Sequence, residues 1–254
     1  MDYQTIQVSF QESVCFLKFD RLEFNNTIND LLIEECSQVL KLCEESIKIV
    51  VIEGSPEVFC LGADFQAVHA QVASGEQCEH DSNPLYDLWL KFVNGPYIII
   101  SHVRGKVNAG GVGFVAASDI VIADQAATFS LSELLFGLFP ACVLPFLIRR
   151  IGFQKAHYLT LMTKSIDAEQ AQVWGLADVC STQSESLLRK HLMRLRPLSK
   201  AGITRYKCYM NALSDALLQN KSLAVAANQE MFSDSRTLEG IFRYVEKGQF
   251  PWEN

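Results

Sequence analysis

The chain has 254 residues, 49% hydrophobic and 20% charged, a mix that suits a globular protein with a sizeable core and excludes a disordered, collagen-like or coiled-coil chain. Lys plus Arg is 22 against 29 Asp plus Glu, and the resulting net charge of −7 argues against wholesale binding of nucleic acid phosphates. The longest apolar stretch, Leu134 to Ile148, is broken by Gly137, Pro140 and Pro145 and falls short of the roughly 20 apolar residues that a membrane span needs.

Met1-Asp2-Tyr3-Gln4 lacks the basic start and apolar block of a signal peptide. The alternation of Ile6, Val8 and Phe10, a polar Gln11-Glu12-Ser13, then Val14 and Phe16, predicts a hairpin over Thr5 to Phe19. Asn29 is placed to cap a helix whose apolar residues Leu32, Cys36, Val39, Leu40 and Cys43 recur at helical spacing, and Ile47 to Ile52 has the run of a buried strand. A helix from Asp64, another over Leu85 to Val93, a strand over Tyr97 to Val103, a Gly-rich turn into a short helix, and a strand over Asp119 to Ala123 continue the series. Such alternation implies an α/β core with parallel pairing. Past Pro145 the strand signal fades and helical spacing takes over. The division expected is an α/β core over residues 1–196 and a helical appendage over 197–254. The polar stretch Ser74 to Asn83 has the length of a mobile loop, a common place for a lid. The eight cysteines contain no C-x-x-C pair and sit mostly among apolar neighbours, as reduced thiols of a cytoplasmic protein do, with no zinc framework.

Two short Gly motifs stand at helix starts: Phe59-Cys60-Leu61-Gly62-Ala63-Asp64 and Asn108-Ala109-Gly110-Gly111-Val112-Gly113. The first amides of a helix lack intrahelical acceptors, and Gly lets another atom approach them. Two converging junctions aim two amides at one oxygen and form an oxyanion hole, while each taken singly is equally a tight turn, with Asp64 a helix cap. The second motif has neither G-x-G-x-x-G spacing nor a following Lys-Ser/Thr, so no nucleotide site is supported, and no G-x-S-x-G elbow occurs.

Taken in order, these motifs resemble the crotonase (enoyl-CoA hydratase/isomerase) superfamily. Arg21 to Asn29 is similar to its R-P-E-x-x-N-A-L segment, Phe59 to Asp64 to F-x-x-G-A-D, Gly105 to Gly111 to G-x-x-x-G-G-G with Ala109 at the first of the three glycines, and Phe146 to Gly152 to L-x-R-x-x-G. Near the end, Glu230, Phe232-Ser233, Glu239-Gly240 and Phe242 follow the family's pattern, with Arg236 where Asp is usual. The resemblance implies a crotonase fold, a ββα spiral core with a C-terminal helical region that trimerises, and an oxyanion hole from the amides of Ala63 and Gly110. Gly62, Asp64 and Gly111 would flank it in the substrate site. Of the two carboxylates of the hydratases, the first falls at Gly113 and is missing; the second is Glu133, expected to exchange the proton beside the thioester.

Asn26 to Asp30, Val103 to Gly111, Phe129 to Gly137 and Gly248 to Glu253 further resemble the dehydratases of bacterial polyketide β-branching cassettes. These remove water from a 3-hydroxy-3-methylglutaryl group on an acyl carrier protein, giving a 3-methylglutaconyl thioester. The resemblance implies no metal and no cofactor beyond the phosphopantetheine, or CoA, that bears the substrate. It also implies a carrier protein and β-branching enzymes as partners, and a homotrimer or hexamer. Tyr86 and Lys91 are candidates to meet the distal carboxylate and Cys142 to wall the pocket, whereas His102, inside an apolar strand, has the setting of a satisfied core histidine. Phe24 and Asn25 stand where CoA-binding relatives carry basic residues, leaving Arg21. The basic run Arg189, Lys190, Arg194, Arg196, Lys200, Arg205 and Lys207 would face the carrier or be a solvated helix face. A Δ3,Δ2-enoyl-CoA isomerase, which also needs one Glu, and a silent crotonase-fold scaffold are the alternatives.

Overall fold

The computed structural model describes residues 2–73, 81–213 and 216–253. Of the polar stretch expected to be a lid, residues 74–80 lie outside the described residues, as does Cys78.

The hairpin forms as expected, β1 (Ile6–Gln11) pairing antiparallel with β2 (Val14–Phe19). Helix α1 (Asp30–Cys43) starts where Asn29 accepts a hydrogen bond from the Leu32 amide at 3.0 Å, and its apolar face is buried. Strands β3 (Ile49–Glu53) and β4 (Val58–Cys60) follow, then α2 (Phe65–Ala73) and α3 (Asn83–Asn94). Next come β5 (Ile98–Val103), β6 (Lys106–Asn108), α4 (Gly110–Ala117), β7 (Ile120–Asp124) and β8 (Thr128–Ser130).

From β3 to β8, successive strands enter different sheets. The larger sheet has the order β1-β2-β3-β5-β7-β10, with β10 at Val179–Ser181, and every pair after the hairpin is parallel. The smaller has the order β4-β6-β8-β9, with β9 at Ile166–Asp167. Each turn of the spiral thus lays one strand in each sheet before the chain returns through a helix. The strands β9 and β10 correct the expectation that strands end before Pro145. Two or three residues are too few to show an alternation.

The remaining helices are α5 (Leu144–Ile151), α6 (Phe153–Met162), α7 (Ala168–Trp174), α8 (Ser184–Leu195), α9 (Lys200–Ala212), α10 (Ala216–Gln219), α11 (Lys221–Ser233) and α12 (Ser235–Lys247). The appendage reading of residues 197–254 needs correction. Leu217, Ala224 and Val225 belong to the same apolar core as α1, α3 and α4, and the buried Lys207 Nζ donates to the carbonyls of Phe92 (2.8 Å) and Tyr97 (2.9 Å) and to Asp119 (2.6 Å). Burial lowers the affinity of that ammonium for its proton and Asp119 opposes the effect. Among the described residues no helix is long and apolar enough to cross a membrane.

Candidate active site

The site begins where the smaller sheet ends. After β4 the chain passes through Gly62 at φ +91°, a conformation that favours glycine. A Cβ there would lie 2.6 Å from the Ala109 Cβ and 3.1 Å from the Gly110 nitrogen, so the two Gly motifs touch only because residue 62 has no side chain. Ile28 fixes the segment as a one-residue strand partner: its amide donates to the Gly62 carbonyl at 2.7 Å, and its carbonyl accepts from the Asp64 amide at 3.2 Å. Alternation along an extended chain turns the intervening Ala63 amide the other way. Across from it, the Gly110 amide opens α4. Neither amide has an acceptor among the described residues, and both residues line one cavity of about 280 Å³.

Glu133 lines the same cavity at the start of a 3-10 turn, Glu133–Phe136, that follows β8. Part of the residue faces the opening, but its Oε2 is buried without a hydrogen-bond partner. Burial pushes its carboxyl up to about 7, with one backbone hydrogen bond opposing. A carboxylate poised near neutrality and facing two free amides is equipped to take a proton from a carbon whose neighbouring carbonyl oxygen gains charge.

The remaining site expectations divide. Cys142 lines the cavity, and burial pushes its thiol up to about 11. Asp64 does not; its two carboxylate oxygens meet Arg21 Nη2 at 2.9 Å and cap α2 through the Ala67 amide at 3.1 Å, which makes it the bracket behind Ala63. Gly62 and Gly111 are likewise framework: a Cβ on Gly111 would stand 2.3 Å from the Cys60 carbonyl oxygen. Tyr86 is a correction. Its ring is fully buried and its hydroxyl donates to the Leu217 carbonyl at 2.6 Å, away from the cavity, because helical geometry sends Ser82, Leu85 and Trp89 to the site and Tyr86 into the core. Lys91 is exposed on the same helix. No Lys or Arg lines the cavity among the described residues.

Several wall residues escaped the sequence reading. Phe232 and Tyr244 close the cavity from α11 and α12, and Asn228, whose side chain donates to Ser82, stands beside them. Asn108 donates to the Ser132 hydroxyl at 2.8 Å next to Glu133. Trp89 explains the missing carboxylate: a Cβ on Gly113 would lie 2.3 Å from its Cζ2, so the indole fills the space of any side chain at that position.

Residues 9–254 match the Enoyl-CoA hydratase/isomerase family. The bacillaene synthase dehydratase PksH of Bacillus subtilis is 62% identical over 253 residues, 99% of this chain and 98% of its own. The crystal structure of a putative polyketide biosynthesis enoyl-CoA hydratase (pksH) from Bacillus subtilis superposes with a TM-score of 0.97 at 61% identity, covering 98% of this chain and 100% of the other. A mevalonyl-coenzyme A hydratase of Aspergillus fumigatus is 35% identical over 216 residues, 82% of this chain and 79% of its own.

Proposed function

Because this chain belongs to the enoyl-CoA hydratase/isomerase family, we propose that it is a hydro-lyase that dehydrates a 3-hydroxy-3-methylglutaryl thioester on the phosphopantetheine arm of an acyl carrier protein during polyketide β-branching. The observation that carries this reading is the single buried carboxylate, Glu133, facing two unpartnered amides in a cavity where the second carboxylate's place is filled by an indole.

The thioester carbonyl oxygen sits between the Ala63 and Gly110 amides. Glu133 takes the proton from the carbon beside the carbonyl, and the electron pair moves onto the carbonyl oxygen as an enolate. The pair then returns to form the carbon–carbon double bond, the bond to the β-hydroxyl breaks, and the departing oxygen takes the proton back from Glu133. One water leaves, and no cofactor enters the balance. General acid–base assistance of this kind contributes on the order of 10²–10⁴-fold, and each amide on the oxyanion up to about 10³-fold.

A carrier-borne substrate is supported by Arg21, the one basic residue left in its segment. Its guanidinium is spent on Asp64, on Thr27 and on the face of Phe24, leaving none of it for the phosphates of free CoA. The B. subtilis dehydratase is named for a polyketide synthase, which fits carrier and β-branching partners, and a mevalonyl group, like the proposed substrate, carries a tertiary hydroxyl at the β-carbon. For docking an acidic carrier, Arg189, Lys190, Arg194 and Arg205 are exposed, while Lys207 is buried and Lys200 bonds the Cys43 and Ile47 carbonyls. A trimer or hexamer would cover exposed apolar side chains such as Tyr206, Tyr209, Leu213 and Leu223.

The test is intact-mass spectrometry of a carrier protein loaded with 3-hydroxy-3-methylglutaryl. Loss of one water with the wild type and not with Glu133→Gln is expected. An unchanged mass with the wild type removes the dehydratase reading and directs attention to β,γ-enoyl thioesters and isomerisation.

A further inference from the structure

Two of the polar atoms that are buried without a partner belong to residues of the active-site cavity. One is Glu133 Oε2 and the other is Trp89 Nε1. Trp89 is fully buried, and its ring is pinned edge-on by Phe114 (centroids 5.8 Å apart) and Phe146 (5.6 Å). An indole N–H is a donor only, and leaving it buried and unpaired is unfavourable. Such a cost persists in a rigid aromatic cage when the group has a partner that arrives later.

The position of the ring identifies that partner. Trp89 occupies the volume of a side chain at Gly113, with Cε2, the atom bonded to Nε1, 2.7 Å from where a Cβ would stand. Residue 113 lies one helical turn along α4 from Gly110, whose amide meets the thioester oxygen. The substrate's β-carbon lies two bonds from the thioester carbon, and Trp89 lines the same cavity as Ala63, Gly110 and Glu133. We propose, resting on the dehydratase reading above, that Trp89 Nε1–H donates a hydrogen bond to the departing β-hydroxyl oxygen. The donor keeps its own proton throughout. As the carbon–oxygen bond breaks and its electron pair passes to oxygen, the hydrogen bond strengthens, while Glu133 delivers the proton that completes the water. The two unpartnered atoms of the empty site then divide the work: an acceptor for the α-proton and a donor for the leaving oxygen. An indole N–H does not ionise in the working range, so the donor is present at every pH at which Glu133 functions.

The test uses Trp89→Phe, which keeps an aromatic ring in the cage and removes the N–H. With S-(3-hydroxy-3-methylglutaryl)-pantetheine in D2O, the variant is expected to lose water 10- to 100-fold more slowly at saturation, with KM within about two-fold of wild type. Deuterium should meanwhile enter the α-carbon of unreacted substrate faster than water is lost, since only the second step is impaired. Unchanged water loss overturns the proposal. A raised KM with unchanged kcat also overturns it and assigns the N–H to the distal carboxylate. Parallel loss of exchange and dehydration overturns it as general damage to the site. Should the variant fail to fold, the wild type still answers: on adding the same thioester, the Trp89 indole N–H resonance, assigned by elimination with Trp174→Phe and Trp252→Phe, moves downfield, and an unmoved resonance overturns the proposal. If the wild type itself releases no water, the dehydratase reading fails first and the two failures are told apart.

Discussion

Two buried polar clusters in this molecule use nearly the same chemical parts to opposite ends. On β5, His102 is fully buried with Nδ1 2.7 Å from Glu53 and Nε2 3.1 Å from the Ser184 hydroxyl, an arrangement that on paper is a Ser-His-Glu triad. Yet the Ser184 hydroxyl bonds Asp124 at 2.8 Å, and neither His102 nor Ser184 lines the active-site cavity. Burial would raise Glu53, but the hydrogen bond and charge of His102, with Arg104, hold it below the usual carboxylate range. In the cavity, by contrast, Glu133 and Trp89 keep a bare acceptor and a bare donor. The difference lies in how the central groups are partnered: both His102 nitrogens and the Ser184 hydroxyl bond within the fold, whereas Glu133 Oε2 and Trp89 Nε1 do not.

The sharpest way to break this comparison is to remove each cluster's central group and ask whether rate or stability falls. Glu133→Gln is expected to cut water loss by about 10²–10⁴-fold while the fold gains. At pH 8 the wild type carries a charge that burial disfavours, so Gln should stabilise by about 1–3 kcal/mol. The gain should shrink progressively as pH falls below about 7, where folded Glu133 takes up its proton, and vanish only below the ordinary carboxylate range. In the same range, wild-type turnover should rise with pH as the base ionises. Denaturation midpoints and pH–rate profiles of the two proteins check both signs.

His102→Leu should do the reverse. Stripping Glu53 of its partner costs about 3–5 kcal/mol in urea denaturation, with kcat of the folded variant within two-fold of wild type. In the wild type this pair lends stability that is complete above the ordinary carboxylate range and lost as pH falls through the lowered Glu53 value, so the penalty shrinks in acid. A variant of full stability and crippled turnover would turn the His102 cluster into a second site.

Gly113→Ala sharpens the comparison at its boundary, because its Cβ would press within 2.3 Å of Trp89. Displacing the indole should cost about 1–3 kcal/mol and lower turnover as well, and thermal melts paired with single-turnover rates would show both. The smallest effect is expected at Ala109, held at φ +50° and ψ −125°, a backbone conformation that favours glycine. Ala109→Gly relieves strain but frees the unfolded chain, for a net gain of about 0.5–1 kcal/mol by calorimetry.

What could be seen in the sequence followed the length and continuity of each signal. Strands β3, β5 and β7 are apolar runs buried in the larger sheet, and α1 announces itself through Asn29 and a regular apolar face. The three-residue strands β4, β6 and β8, which carry the site, are shorter than the pattern that would betray them. Ala63, Gly110 and Glu133 were found through the order of their motifs, and the structure gathers them around one cavity. Tyr86 was misplaced because proximity along the chain does not fix which way a side chain points, whereas Asp64 caps α2 as its place before the helix suggests. Trp89 looked like any core aromatic, since its contact with Gly113 spans 24 positions and exists only after folding.

The cavity's walls are gathered from Ile28 to Tyr244, nearly the full length of the chain. A ribosome making this protein therefore has to release almost all of it before this cavity can close. Phe232, Asn228 and Tyr244 emerge last and close a chamber whose base and amides were made long before. Chains that stop short of α11 and α12 accordingly lack the walls that close this cavity.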